Sequence, residues 1–83
     1  MEYTMKTAAR ELVSTGSAVY DARAYLENMR TYLESQQSYR QNQEVSAKKE
    51  TEAIISIDTV LTLLKASQTQ LKTLANQIGE LTS

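Results

Sequence analysis

The main candidates for acid–base chemistry in this chain are its carboxylates, Asp21, Asp58 and eight Glu, because the sequence contains no His and no Cys. Without His and Cys, the usual general bases, activated thiols and most zinc ligand sets are missing. The carboxylates show no Glu-x-x-His spacing, and there is no glycine-rich phosphate loop or EF-hand pattern. The sequence therefore predicts a protein that is not an enzyme and that uses no metal or cofactor.

The charged residues are too evenly mixed to indicate a nucleic-acid surface. The net charge is −1 and the longest basic run is Lys48-Lys49, whereas nucleic-acid binding requires clustered Lys and Arg. No stretch approaches the ~20 apolar residues of a membrane span, and the N-terminus lacks the pattern of a cleaved signal peptide. We expect a cytoplasmic protein, or one exported without a cleaved signal, whose partner is a protein or a second copy of itself rather than a small-molecule substrate.

The elements that must position these side chains are long helices, since the chain has no Pro and only two Gly. Apolar residues repeat every seven positions in two tracks, a period that indicates the seam of a coiled coil. The first track is Met5, Leu12, Val19, Leu26 and Leu33, and the second is Ile57, Leu64, Leu71 and Ile78.

Each track also has neighbours three residues further on, which we expect to complete the seam. On the first helix these companions are Ala8, Thr15, Ala22 and Met29, and on the second they are Val60, Ser67, Leu74 and Leu81. With the turn centred near Gln43, Leu26 is expected to lie opposite Val60 in an antiparallel pair.

The two tracks are out of phase across the polar stretch 36–46, so one continuous helix would turn its apolar stripe sharply there. The sequence therefore predicts an all-α, antiparallel two-helix hairpin forming a single domain over 1–83. The expected elements are helix 1 at about 3–38, a turn at about 39–46 and helix 2 at about 47–81, with Asn42 or Ser46 capping helix 2. At Gly16 a continuous or gently kinked helix is favoured over a break, because the heptad phase is unchanged there.

Several apolar residues lie outside this predicted seam and could form a surface that binds a partner. A hairpin of this size has one thin interface and is marginally stable alone, so we expect dimerisation or a partner protein to complete a helical bundle. Tyr suits such an interface because its ring buries area while its hydroxyl stays hydrated. The candidate partner-binding residues are Tyr25, Tyr32, Tyr39, Ile54, Ile55, Leu61 and Leu63.

The functional class favoured by surplus apolar surface without chemistry is a small non-enzymatic interaction module of the chaperone, adaptor or inhibitor type, such as phages and bacteria encode. An alternative is a self-assembling structural subunit that forms a homodimeric bundle or a polymer. A third alternative is a small helical factor associated with type VII or type III secretion.

In length and predicted shape the chain resembles the Trp-x-Gly helical hairpin proteins of type VII secretion systems. The resemblance concerns architecture alone. The Trp-x-Gly turn is missing, and the corresponding positions read Gln41-Asn42-Gln43-Glu44. Small type III secretion chaperones match in length and composition, with no motif to compare.

Overall fold

The computed structural model describes residues 2–82, which form two antiparallel helices, α1 (Met5–Asn42) and α2 (Lys48–Thr82). The helices pack side by side in a rod of 61 × 22 × 14 Å. The predicted all-α hairpin is confirmed. Helix α1 runs through Gly16 without a break, and no neighbouring atom lies within 4 Å of where a Cβ would sit.

The connection between the helices occupies 43–47, which is later and shorter than the expected turn at 39–46. Helix α1 ends in a Schellman motif, in which the Val45 N–H donates to the Arg40 carbonyl and the Glu44 N–H donates to the Gln41 carbonyl. Glu44 has a φ of 57°, a left-handed conformation that usually carries Gly. The end of α1 therefore lacks the residue that would have marked it in the sequence.

Side-chain oxygens satisfy backbone donors at the start of both helices. Thr4 caps α1 by accepting from the Thr7 N–H at 3.2 Å. Ser46, one of the two expected caps, accepts from the Lys48 N–H at 3.4 Å, although Ala47 is the residue directly before α2. Asn42, the other candidate, belongs to the last turn of α1.

The core of the hairpin is thin and lies on α2 near the loop. Ala47, Ile54, Ile57 and Leu61 are buried, whereas between Met5 and Asn42 no residue is buried. Of the first-track residues of α1, Leu12, Val19, Leu26 and Leu33 are half-buried against α2, and Met5 is exposed. Two helices that touch along one line leave most of each surface exposed, so this packing covers little apolar area.

Most of the predicted companion residues are wrong, because the seam uses the positions four residues on from each track instead of three; of the companions, Ala8 and Ala22 are half-buried. Met29, Val60, Leu74 and Leu81 are between 42 and 65% exposed, and Thr15 and Ser67 are exposed as well. The positions that turn towards the partner helix are Gly16, Arg23, Arg30 and Gln37 on α1, and Ile54, Leu61 and Gln68 on α2.

The observed register is displaced from the predicted one, in which Leu26 lies opposite Val60. Cross-helix hydrogen bonds join Arg30 to Asp58 and Arg23 to Gln68. Leu26 lies between these two arginines and therefore faces the middle of the stretch of α2 from Asp58 to Gln68, beyond Val60. The shift follows from the later position of the loop, which moves every residue of α2 relative to α1.

Candidate functional site

The most specific contact between the helices is the ion pair of Arg30 and Asp58. Arg30 Nε donates to Asp58 Oδ1 at 2.6 Å, and a second guanidinium nitrogen donates to Oδ2 at 3.2 Å. This two-pronged geometry fixes both distance and orientation. The hydrogen bond from Arg30 holds the pKa of the Asp58 carboxyl below its usual range, with the nearby positive charge of Lys65 adding to it, although partial loss of hydration acts in the opposite direction.

Further polar contacts follow the same side of the seam towards both ends. Arg23 donates to the Gln68 side-chain oxygen at 2.9 Å, and Gln37 donates to the Thr51 hydroxyl at 2.7 Å. Next to the loop, Arg40 Nε lies 3.0 Å from Glu50 Oε1. The other carboxylate oxygen of Glu50 is buried and has no hydrogen-bond partner within the described part of the chain.

These contacts belong to one long side of the hairpin on which charged residues from both helices come together. Arg23 and Arg30 also pair along α1 with Glu27 and Glu34, at 3.3 and 2.7 Å. Helical spacing places Lys65 and Lys72 on the same side, where both line a groove with Gly16 and Arg23. We call this side the charged face, and its charged members are Arg23, Glu27, Arg30, Glu34, Asp58, Lys65 and Lys72.

The opposite long side of α1 contains two heptad tracks without a charged residue. Residues on these tracks are spaced three and four apart, so they share one face of the helix. From residue 15 to residue 39 the members are Thr15, Ala18, Ala22, Tyr25, Met29, Tyr32, Gln36 and Tyr39.

The same side of α2 is also free of charge. Thr15 and Val19 of α1 line one groove with Leu63, Ser67 and Leu74 of α2, so both stripes lie on one side of the hairpin. The stripe of α2 is Ala53, Ser56, Val60, Leu63, Ser67, Gln70, Leu74, Gln77 and Leu81. We call the two stripes together the charge-free face.

The structure places the predicted partner-binding residues in three different environments. Tyr25, Tyr32, Tyr39 and Leu63 are each 62 to 64% exposed and lie together on the charge-free face. Ile55 is exposed, but helical geometry directs it away from the seam and from this face.

Ile54 and Leu61 do not lie on a flank outside the seam, contrary to the sequence interpretation. Both are buried in the core of the hairpin, because the seam of α2 uses the positions four residues on from the Ile57 track. Their apolar area is already covered by α1.

Sequence reasoning missed the four large apolar members of the charge-free face other than the tyrosines and Leu63, because it assigned Met29, Val60, Leu74 and Leu81 to the seam. A signal for them was present in the sequence. Over 15–39 and 53–81 the two tracks of each helix contain no Asp, Glu, Lys or Arg, a pattern typical of a helix surface that is covered.

The remaining chemistry of the surface is limited. Within residues 2–82 no three His, Cys, Asp or Glu side chains come close enough to hold a metal ion. Neither helix, as far as it is described, has a window apolar enough to cross a membrane. Threonines on the outer surfaces, such as Thr31 and Thr62, donate their hydroxyls to the carbonyl one turn earlier.

Comparison with known proteins adds no relative. No protein-family model, no curated protein and no solved structure matches the chain. The function is therefore inferred from the charged face and the charge-free face of the hairpin.

Proposed function

We propose that the chain is a small non-enzymatic interaction module that binds protein helices through its charge-free face. The observation that carries this proposal is the choice of seam. The hairpin turns Arg23, Arg30 and Gln37 towards its own partner helix and leaves Met29, Leu74 and Leu81 outside.

This choice buries Ile54 and Leu61 but leaves four large apolar companions, Met29, Val60, Leu74 and Leu81, at least 42% exposed, which is unfavourable for a hairpin that stays alone in water. Burial of an apolar side chain contributes about 1.5–3 kcal/mol, whereas a half-exposed ion pair contributes about 0–1 kcal/mol. A chain selected to be a free-standing hairpin would place its apolar companions in the seam. Leaving them exposed is reasonable if another surface covers them.

The character of the face indicates the kind of partner. Tyr and Met are enriched at protein interfaces, where charged residues are depleted from the buried centre. The face is long and straight and is formed by two parallel stripes, which suits packing against one or two helices in a bundle. The general roles compatible with this are those of a chaperone, an adaptor or an inhibitor.

A second apolar groove lies on the other side of the hairpin, near its open end, and competes with this proposal. It is lined by Leu12, Val13, Leu71 and Ile78 and by small residues, together with Arg23, Lys65 and Lys72. These three charged side chains would have to lose water on burial, a cost that the charge-free face does not carry. The charge-free face is therefore the better docking surface.

A matched pair of tyrosine variants tests the proposal. Tyr32 on the charge-free face and Tyr20 beside the second groove have similar exposure, 63 and 67%. In affinity purification of the tagged chain from its source, Tyr32→Ala should lose the proteins that co-purify with the wild type, and Tyr20→Ala should retain them. Equal retention by the two variants, or loss with Tyr20→Ala alone, would contradict the proposal.

A further inference from the structure

We infer that the helices covering the charge-free face are those of a second copy of this chain, joined in a two-fold symmetric four-helix bundle. This inference rests on the proposed function and names the partner for the same face. Three properties of the face support a second copy, namely its neutrality, its area and the distribution of its large side chains.

The first property is the absence of charge. In a two-fold contact the same patch meets itself, so any charge near the symmetry axis meets an equal charge. The charged face, with Arg23, Arg30, Lys65 and Lys72, would suffer this repulsion. The charge-free face carries no charged member from residue 15 to 39 or from 53 to 81, so an identical copy meets no like charge there.

The second property is the exposed apolar area. Given the exposed fractions of its tyrosines, Met29, Val60 and leucines, the face offers on the order of 1,000 Å² of apolar side chain per copy, with aromatic rings the largest contributors. A stable protein interface takes about 800 Å² from each partner. A second copy would therefore find enough area without any further element.

The third property is that large and small side chains are arranged so that the face fits itself. On α1 the large residues, Tyr25, Tyr32 and Tyr39, lie towards the loop, and the small ones lie towards the open end. On α2, Ala53 and Ser56 lie near the loop, Val60 and Leu63 follow, and Leu74 and Leu81 lie near the open end. A two-fold rotation about an axis parallel to the helices sets α1 over α2. Tyr32 and Tyr39 then meet the small side chains of α2 near the loop, and Leu74 meets the small side chains of α1 near the open end, as close packing requires.

Sedimentation equilibrium of the full chain over a wide concentration range tests the inference directly. The wild type should have twice the mass of the 9.3 kDa chain. Tyr32→Arg should raise the dimer dissociation constant by ~100-fold or more, because a symmetric interface contains the substitution twice and its free-energy cost is counted twice. Tyr20→Arg, the matched control, should leave the mass unchanged. A monomeric wild type, or dissociation by Tyr20→Arg to the same extent, would overturn the inference.

If Tyr32→Arg fails to fold, thermal unfolding of the wild type still tests whether the chain is a dimer. The unfolding midpoint of a folded dimer rises with protein concentration, whereas that of a monomer does not. We expect the wild-type midpoint, followed by circular dichroism, to rise with concentration. A midpoint independent of concentration would overturn the second copy as occupant.

The two proposals fail in different ways. If the wild type is monomeric but Tyr32→Ala still loses co-purifying proteins that Tyr20→Ala retains, the second copy is rejected and the interaction face stands. If the variants at Tyr32 and Tyr20 behave alike in both experiments, the charge-free face is rejected altogether.

Discussion

At the scale of single residues, Asp58 connects the fold to pH. Arg30 donates two hydrogen bonds to its carboxylate, which therefore stabilises the hairpin when it is ionised. Because the pKa of Asp58 is lower in the folded chain than in the unfolded chain, this stabilisation is complete above the ordinary carboxyl pKa and is lost as the pH falls through the lowered value.

The corresponding prediction compares Asp58→Asn with the wild type across pH. The variant should unfold at a lower temperature at neutral pH. The difference should shrink as the pH falls below the ordinary carboxyl value of about 4, because the carboxyl of the unfolded chain then takes up a proton before that of the folded chain. Thermal unfolding followed by circular dichroism at several pH values measures this. A difference that is the same at pH 7 and pH 3 would show that the charge of Asp58 does not stabilise the hairpin.

A second residue-scale prediction concerns the end of α1, where Glu44 holds a φ of 57°. A non-glycine residue in this conformation costs about 1–2 kcal/mol. Glu44→Gly should remove that cost at some expense in chain entropy, for a net stabilisation of about 0.5–1 kcal/mol.

The matched control for Glu44→Gly is its neighbour Gln43, whose φ is −90°. Gln43→Gly relieves no strain and adds freedom to the unfolded chain, so it should not stabilise the hairpin. Urea unfolding of both variants compares their free energies of unfolding. Equal effects at the two positions would contradict the strained conformation of Glu44.

At the scale of the helices, two leucines that are two residues apart on α2 distinguish the seam from the exposed surface. Leu61 is 6% exposed and Leu63 is 62% exposed. Leu61→Ala should lower the free energy of unfolding by about 2 kcal/mol or more. Leu63→Ala should change it by less than ~0.5 kcal/mol when the chain is dilute. Equal losses in urea unfolding would place the seam on the wrong side of α2.

The two helices themselves could be predicted from the sequence because the heptad tracks and the polar stretch between them are local signals. The tracks beginning at Met5 and Ile57 both lie at the interface over much of their length, with Leu26, Leu64 and Leu71 at least half-buried. The tyrosine stripe could be predicted for the same reason, since Tyr25, Tyr32 and Tyr39 repeat every seven residues.

The companion positions that face the other helix could not be predicted, because they depend on contacts between residues far apart in the chain. Counting apolar residues favours the companions three positions on, such as Met29 and Val60. The structure takes the other side, where Arg30 meets Asp58 from the opposite helix. The residue at which α1 ends could not be predicted for a different reason. Glu44 occupies the left-handed position after the helix, where Gly is the usual signal.

At the scale of the whole molecule, the hairpin divides its surface into a charged face and a charge-free face. On the charged face, the two arginines pair with carboxylates of the same chain, through ion pairs such as Arg30–Asp58 and Arg30–Glu34. The charge-free face presents aromatic and aliphatic side chains that have no cover in a single copy. This division is the basis for both the proposed interaction module and its proposed symmetric partner.

The solvent exposure of the tyrosines provides the most direct test of whether a second copy covers the charge-free face, because each tyrosine is 63 to 69% exposed in the single hairpin. Hydroxyl-radical footprinting of the wild-type chain, read by mass spectrometry, compares a concentrated sample with a dilute one. We predict that Tyr25, Tyr32 and Tyr39 lose reactivity in the concentrated sample, while Tyr3 and Tyr20 keep theirs. Protection centred on Tyr20, or reactivity unchanged at all five positions, would contradict the claim that the charge-free face is the one that a second copy covers.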